Sequence, residues 1–314
     1  MKPTAIFQSL RFVARRQLAA AFSLIEVLVV TGLLSIIIIG LVMMFAQTQR
    51  AYKLGTTQVD VLEGGRMATD LITRDLQQMA ASPYNTTNFF AATLGTLPAT
   101  GDRYEPLTQI LPGSANLRTN LLQEVFFLTR ENQKWTAVGY FVRTNDTGAT
   151  IGFPGGGAGS LYRFETNYTD SVLRRFPLQP WWDFVAAAVQ TNLASRVLEG
   201  VVHFKMRTFT PTGVWIVTNN YSADLYPGVF GRMPGSASTY YPFGEAPYLF
   251  FSSNAIPAAV EVELGVLEAR EIERARAISS PSARAKYLTD QAGKVHLFRW
   301  RVPVRNVDST VYQR

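Results

Sequence analysis

The sequence predicts an α+β protein. A long N-terminal helix spans a membrane with its first half and packs its outer half on an antiparallel β-sheet domain with long loops. Three observations carry this prediction. Residues 27–46 contain no charged side chain. Residues 47–79 contain no proline and repeat apolar side chains at three- and four-residue spacing. Beyond residue 120, several runs alternate apolar and polar side chains with period two. Spacings of three and four belong to a helix face, and period two belongs to a strand with one face buried. The expected organisation is a short basic segment at 1–21, a helix at 22–81 and a β-rich extracytoplasmic globular domain at 82–314. The helix divides into a spanning part, 22–46, and an amphipathic part, 47–81.

The uncharged stretch from Val27 to Ala46 is long enough, at ~1.5 Å rise per residue, to cross the roughly 30 Å hydrocarbon core of a bilayer. It is apolar on every face, unlike the one-sided helices of soluble domains. Gly32, Ser35 and Gly40 are small residues that allow close helix packing. Glu26 stands at the head of the run with no lysine or arginine within a helical turn. A carboxylate at the edge of a span costs on the order of 2–3 kcal/mol unless paired. Glu26 therefore sits at headgroup level, or its partner comes from another chain or a new amino terminus. Lys2, Arg11, Arg15 and Arg16 precede the span without an acid, while Arg50 and Lys53 follow it. That surplus predicts a cytoplasmic N-terminus and an exported remainder, in a single pass through the membrane. Two other readings of the same stretch compete. One is a secretory signal cleaved after Met44-Phe45-Ala46, which leaves Glu26 unexplained. The other is an uncleaved anchor carrying a surface binding protein or enzyme.

Leu62, Gly65, Ala68, Ile72, Leu76 and Met79 mark one face of the amphipathic part. Arg66, Asp70 and Arg74 stand four apart on another face, spaced for weak ion pairs. Gly64-Gly65 is a point of bending or close approach, and Ser82-Pro83 ends the helix. Residues 83–120, rich in Thr, Asn, Pro and Gly, read as a loop region. Glu124–Arg130 and Trp135–Arg143 form a hairpin around a four-residue loop, 131–134. Gly152–Ser160 is a flexible connector and Leu161–Thr166 a short strand. Residues 178–195 hold a short helix. Val201–Phe209 places Val202, Phe204 and Met206 inward and His203, Lys205 and Arg207 outward. Val260–Val266 faces Val260, Val262, Leu264 and Val266 in, with Glu261 and Glu263 out. Lys294–Val304 faces Phe298, Trp300 and Val302 in, with Arg299 and Arg301 out. The acidic strand at 260–266 is expected beside one of the two basic strands, since opposite charges pair across strands. Tyr221–Asn254 reads as a long aromatic loop, and 268–278 as a solvated helix with Glu271–Arg274 and Glu273–Arg276 pairs.

Composition narrows the chemistry. The net charge is +7, but four of those positive charges lie in residues 1–21. Scattered arginines without a basic run do not predict nucleic-acid binding. No cysteine is present, so disulfides and thiolate chemistry are excluded. The two histidines, His203 and His296, are far apart, and no nucleophile elbow, zinc-helix or calcium-loop motif occurs. The expectation is a non-enzymatic protein without cofactor or metal.

Ala21-Phe22-Ser23-Leu24-Ile25-Glu26, after a basic segment and before an apolar run, resembles the type IV prepilin cleavage and methylation motif. Ala21 stands where that family usually has Gly. The resemblance implies that 1–21 is a leader, that a prepilin peptidase cuts between Ala21 and Phe22, and that Phe22 becomes N-methylated. It also implies that Glu26 neutralises the N-terminal amine of a neighbouring pilin or pseudopilin subunit during assembly. Four further stretches look like the large minor pseudopilins of the J type and the related W-type minor pilins: Arg66–Leu76, Val138–Phe141, Leu161–Phe164 and Leu198–Phe204. That resemblance implies a pilin-like fold and a structural subunit at the tip of a type IV pilus or type II secretion pseudopilus. Its implied role is to start assembly or contact cargo, with other pilin-like subunits and inner-membrane lipid as partners.

Overall fold

Ser23 stands just before the first helix. Its hydroxyl and carbonyl oxygens accept the Glu26 N–H at 3.3 and 3.0 Å, so one of the orphan donors of the helix start is satisfied locally. From there α1 runs Leu24–Gln77. The computed structural model describes residues 23–93, 107–111, 113, 115–143, 158–216, 229–232 and 248–312. The chain divides into two units, Met1–Leu54 and Gly55–Arg314, with the division falling inside α1.

In the first unit, α1 carries apolar side chains on every face and all of those described between Leu24 and Phe45 are exposed. Its hydroxyls turn back on the helix. Thr31 Oγ1 donates to Leu28 O at 3.0 Å, Ser35 Oγ to Thr31 O at 2.8 Å and Thr48 Oγ1 to Met44 O at 2.9 Å. Polar groups bonded within their own segment suit an apolar surrounding.

The second unit is built on a nine-stranded sheet. Its strands are β1 (Thr87–Thr93), β4 (Gln123–Glu131), β5 (Lys134–Arg143), β6 (Gly159–Tyr168), β7 (Ser195–Phe209), β8 (Val229–Arg232), β9 (Tyr248–Ser252), β10 (Ala259–Leu267) and β11 (Val295–Pro303). The order is β11-β10-β7-β6-β5-β4-β1-β9-β8, with every pairing antiparallel. A separate hairpin joins β2 (Leu107–Ile110) to β3 (Leu117–Asn120). Four shorter helices follow: α2 (Asp170–Arg175), α3 (Gln179–Val189), α4 (Ala269–Ala277) and α5 (Pro281–Asp290).

One sheet face packs on the part of α1 that belongs to this unit. Val61, Ala68, Ile72, Leu76 and Met79 join Val138, Tyr140, Phe204, Val262 and Leu264 in one core. Gly65 lets this packing close, because a Cβ there would lie 2.2 Å from the Phe298 ring. The other face is covered by α2 and α3 over Phe126, Phe141 and Phe164. Gly139 serves that side, where a Cβ would meet the Phe184 ring at 2.2 Å. A smaller core of Leu107, Val202, Leu267, Ile272 and Leu288 binds α4 and α5. Burial on both faces explains why Val125–Leu128 in β4 and Ala137–Val142 in β5 are unbroken apolar runs rather than alternating.

Several expectations are met. The helix inside 178–195 is α3, and the strands expected at 161–166, 201–209, 260–266 and 294–304 are present. The acidic strand β10 lies between both basic strands, pairing Glu261 with Arg301 and Arg207, and Glu263 with Arg299 and Lys205.

Others are corrected. The helix stops at Gln77 rather than residue 81, because Ala80 N–H donates to Leu128 O and the chain turns into sheet pairing before Ser82-Pro83. Leu62 is exposed and Val61 takes its place in the core. Arg66, Asp70 and Arg74 are exposed and form no ion pair among the described residues. The 83–120 region is not simply loop, since it supplies β1 and the β2–β3 hairpin. The β4–β5 turn has two residues, Asn132 and Gln133, with Asn132 at φ 56°, a backbone region asparagine tolerates. Val202 faces the α4–α5 core and not Phe204's side, because the β7–β10 register shifts at Gly265/Val266. Gly200 (φ +83°) accompanies that irregularity. The connector at 152–160 already enters β6 at Gly159, and its residues 152–157 lie outside the described residues. Within 221–254, β8 and β9 are sheet strands, and 221–228 and 233–247 lie outside the described residues.

Candidate functional site

The residues singled out at the N-terminus fall into two groups. Ala21 and Phe22 lie outside the described residues. Glu26 lies in the first turn of α1, exposed, with its backbone N–H held by Ser23. A carboxylate here meets the positive end of the helix dipole, which is favourable by about 0.3–1 kcal/mol at a surface. Between Leu24 and Ala46, Thr31 and Ser35 bond to their own helix, while the Glu26 carboxylate makes no hydrogen bond or ion pair among the described residues. Among the described residues, it is the one side-chain polar group of the apolar stretch that makes no bond within the chain. This helix is long and apolar enough to cross a membrane.

The second unit treats its charges in the opposite way. Asp75 is 4 % exposed and projects from α1 onto the sheet. Its Oδ2 accepts from Tyr140 OH at 2.6 Å and from Arg163 Nε at 2.7 Å, and Arg163 also pairs with Glu165. Burial, then the Asp75 carboxylate, push the Tyr140 hydroxyl well above its usual range, so it remains a donor. Across the other sheet face, Arg143 Nη2 meets Glu124 Oε1 at 2.7 Å, while Arg143 Nε donates to Ala188 O at 2.5 Å. Burial pushes the Glu124 carboxyl upward against the pull of Arg143.

The β7–β10–β11 end carries a charge ladder. Arg207 Nη1 lies 3.1 Å from Glu261 Oε1 and 2.9 Å from Glu263 Oε1, and Arg299 Nη2 donates to Glu261 Oε1 at 2.9 Å. His203 and Lys205, expected on an open face, are buried instead. Leu121 N–H donates to His203 Nδ1 at 3.0 Å, and His203 Nε2 lies 3.3 Å from Glu263 Oε2. With Nδ1 accepting, the ring proton belongs on Nε2, facing the carboxylate.

The helix expected to be solvated is also half-buried. Glu271 is 1 % exposed, held by Lys294 Nζ at 2.6 Å, Arg274 and the Tyr287 hydroxyl. Arg276 pairs with Glu199 at 2.8 Å. Among the described residues, no three His, Asp or Glu side chains gather as a metal site.

No protein-family model matches the chain, and no curated protein matches it.

Sequence reasoning missed the Asp75–Tyr140–Arg163 tie, although each member lies in one of the quoted stretches. The available signal was polar character at core-facing positions. Asp75 falls on the buried helix face, and Tyr140 and Arg163 fall in phase with Val138 and Leu161. A charge there requires a partner from another element.

Proposed function

We propose that this chain is a minor pilin or pseudopilin, a structural subunit of a type IV pilus or type II secretion pseudopilus. In this reading it is an inner-membrane protein with its N-terminus cytoplasmic and its second unit extracytoplasmic, and it enters the filament near the tip. A prepilin peptidase removes residues 1–21, Phe22 is N-methylated, and other pilin-like subunits are its partners. The role is structural rather than catalytic, starting assembly or contacting cargo.

The supporting observation is the exposed apolar helix headed by a capped start and one carboxylate without a partner among the described residues. A span that is otherwise satisfied has little physical reason to retain a carboxylate costing about 2–3 kcal/mol. A neighbouring chain's amine supplies that reason.

Mass analysis of the mature N-terminus tests the reading. The expected species begins at N-methylated Phe22. An intact Met1, or a chain starting after Ala46, would overturn it.

A further inference from the structure

The geometry points to the outer edge of β11 as a docking site for an extended acidic segment of a partner protein, which would join the sheet beside β11. This strand ends the sheet order, and among the described residues it pairs with β10 alone. Among the described residues, its other edge makes no backbone hydrogen bond. An open edge of nine residues presents unpaired N–H and C=O groups at alternate positions, a template for another strand. Lipid and nucleic acid lack that alternating backbone pattern, so the edge selects a polypeptide.

The side chains select its charge. Residues 294–305 contain Lys294, Arg299, Arg301 and Arg305 and no acid. Phe298 and Trp300 anchor the strand against the core, while Leu297, Arg299 and Arg301 are 48, 57 and 48 % exposed on the opposite side. Glu261 and Glu263 are largely covered, and three guanidiniums, from Arg207, Arg299 and Arg301, crowd these two carboxylates. Positive charge therefore remains in excess around these two carboxylates, although Arg299 leans on Glu261 and Glu263 and Arg301 lies over the Phe209 ring, both about half exposed. A second copy is the wrong occupant, because symmetric antiparallel pairing about Trp300 would set Arg299 against Arg301 twice. The right pattern is already present on the other side of β11. In β10, Val260-Glu261-Val262-Glu263 places its two carboxylates across from Arg301 and Arg299. An incoming strand with the same alternation would set its carboxylates level with Arg299 and Arg301, whose half-exposed guanidiniums would swing from Glu261, Glu263 and Phe209 to share them. The edge lies in the second unit, so its occupancy is separable from processing of the N-terminus.

The test uses the full chain in nanodiscs and a labelled peptide of the β10 sequence, AVEVELGVL. Fluorescence polarisation should show saturable binding. AVKVKLGVL should bind at least tenfold more weakly. Backbone N-methylation at one set of alternate peptide positions should abolish binding, and methylation at the other set should spare it. Hydrogen exchange should show new protection confined to Val295–Pro303. No binding up to millimolar peptide, equal binding of the two charge forms, protection elsewhere, or self-association of the chain through β11 would each overturn the proposal.

Discussion

The two units handle carboxylates in opposite ways. In the first, Glu26 is exposed at the head of an apolar helix, and nothing in the chain answers its charge among the described residues. In the second, Asp75, Glu124, Glu263 and Glu271 are buried or nearly so, and each meets at least one cation or histidine. An unpaired buried charge costs several kcal/mol, so a self-contained fold must supply partners. A segment that leaves its charge unanswered depends on its surroundings for completion. The second unit therefore carries the partners of these buried charges within itself, and the first leaves Glu26 to its surroundings.

The largest expected effect breaks that comparison at Glu26. A pairing worth about 2–3 kcal/mol corresponds to roughly 30–150-fold in association. Under the proposed function, Glu26→Ala should insert in the membrane normally, yet cross-link to neighbouring pilin-like subunits at least tenfold less. Thermal unfolding of the second unit should remain unchanged. Normal incorporation of the variant into a filament would remove amine pairing as the role of this carboxylate.

The next effect is on stability and should spare the first unit. Asp75→Ala leaves the Tyr140 hydroxyl without its acceptor and Arg163 with only the exposed Glu165. Breaking such a tie is expected to cost about 3 kcal/mol, or roughly 6–12 °C in melting temperature for a domain of this size. Tyr140→Phe should cost only about 1 kcal/mol, because Asp75 keeps its arginine. Melting followed by near-ultraviolet circular dichroism checks both. Equal losses would show that packing rather than the shared carboxylate holds α1 to the sheet.

These effects also separate what the sequence made legible from what it did not. The β7–β10–β11 neighbourhood was readable because Val-Glu-Val-Glu and Phe-Arg-Trp-Arg each have one charged face of uniform sign. Glu26 was readable because its charge interrupts a run with no other. The strand β1 was not readable, because its Thr-Asn-Phe-Phe-Ala-Ala-Thr sequence is buried on both faces and shows no alternation. Val202 was misplaced because a register shift reverses side-chain direction without changing composition. Glu271 looked solvated because Tyr287 and Lys294, which cover it, arrive from later in the chain. Local pattern reveals which residues need a partner, while topology decides which partner arrives.

The smallest expected effect tests whether the second unit's self-sufficiency depends on pH. His203 accepts the Leu121 N–H at Nδ1 and faces Glu263, with Arg118 and Lys205 as nearby cations. Burial first, and then those cations, outweigh the pull of Glu263 and hold the ring below its ordinary value of 6.5. The unfolded chain therefore binds the proton more readily than the folded one. This stability is fully present above about pH 6.5 and drains as pH falls toward the lower folded value. A separate loss begins lower. Glu263 is held at about 2, chiefly by the His203 hydrogen bond, and its contribution fades as pH falls from 4.5 toward that value. Replacement of His203 by Asn supplies a neutral oxygen able to accept the Leu121 N–H and removes titration from the upper window. Between pH 7.5 and 5.5 the parent chain should lose more stability than H203N, read as a larger fall in melting temperature over the same interval. An identical pH slope in both chains would place the sensitivity elsewhere. Protonation at Nδ1 would set one N–H against another, so the ring should act as a tie only while it remains neutral.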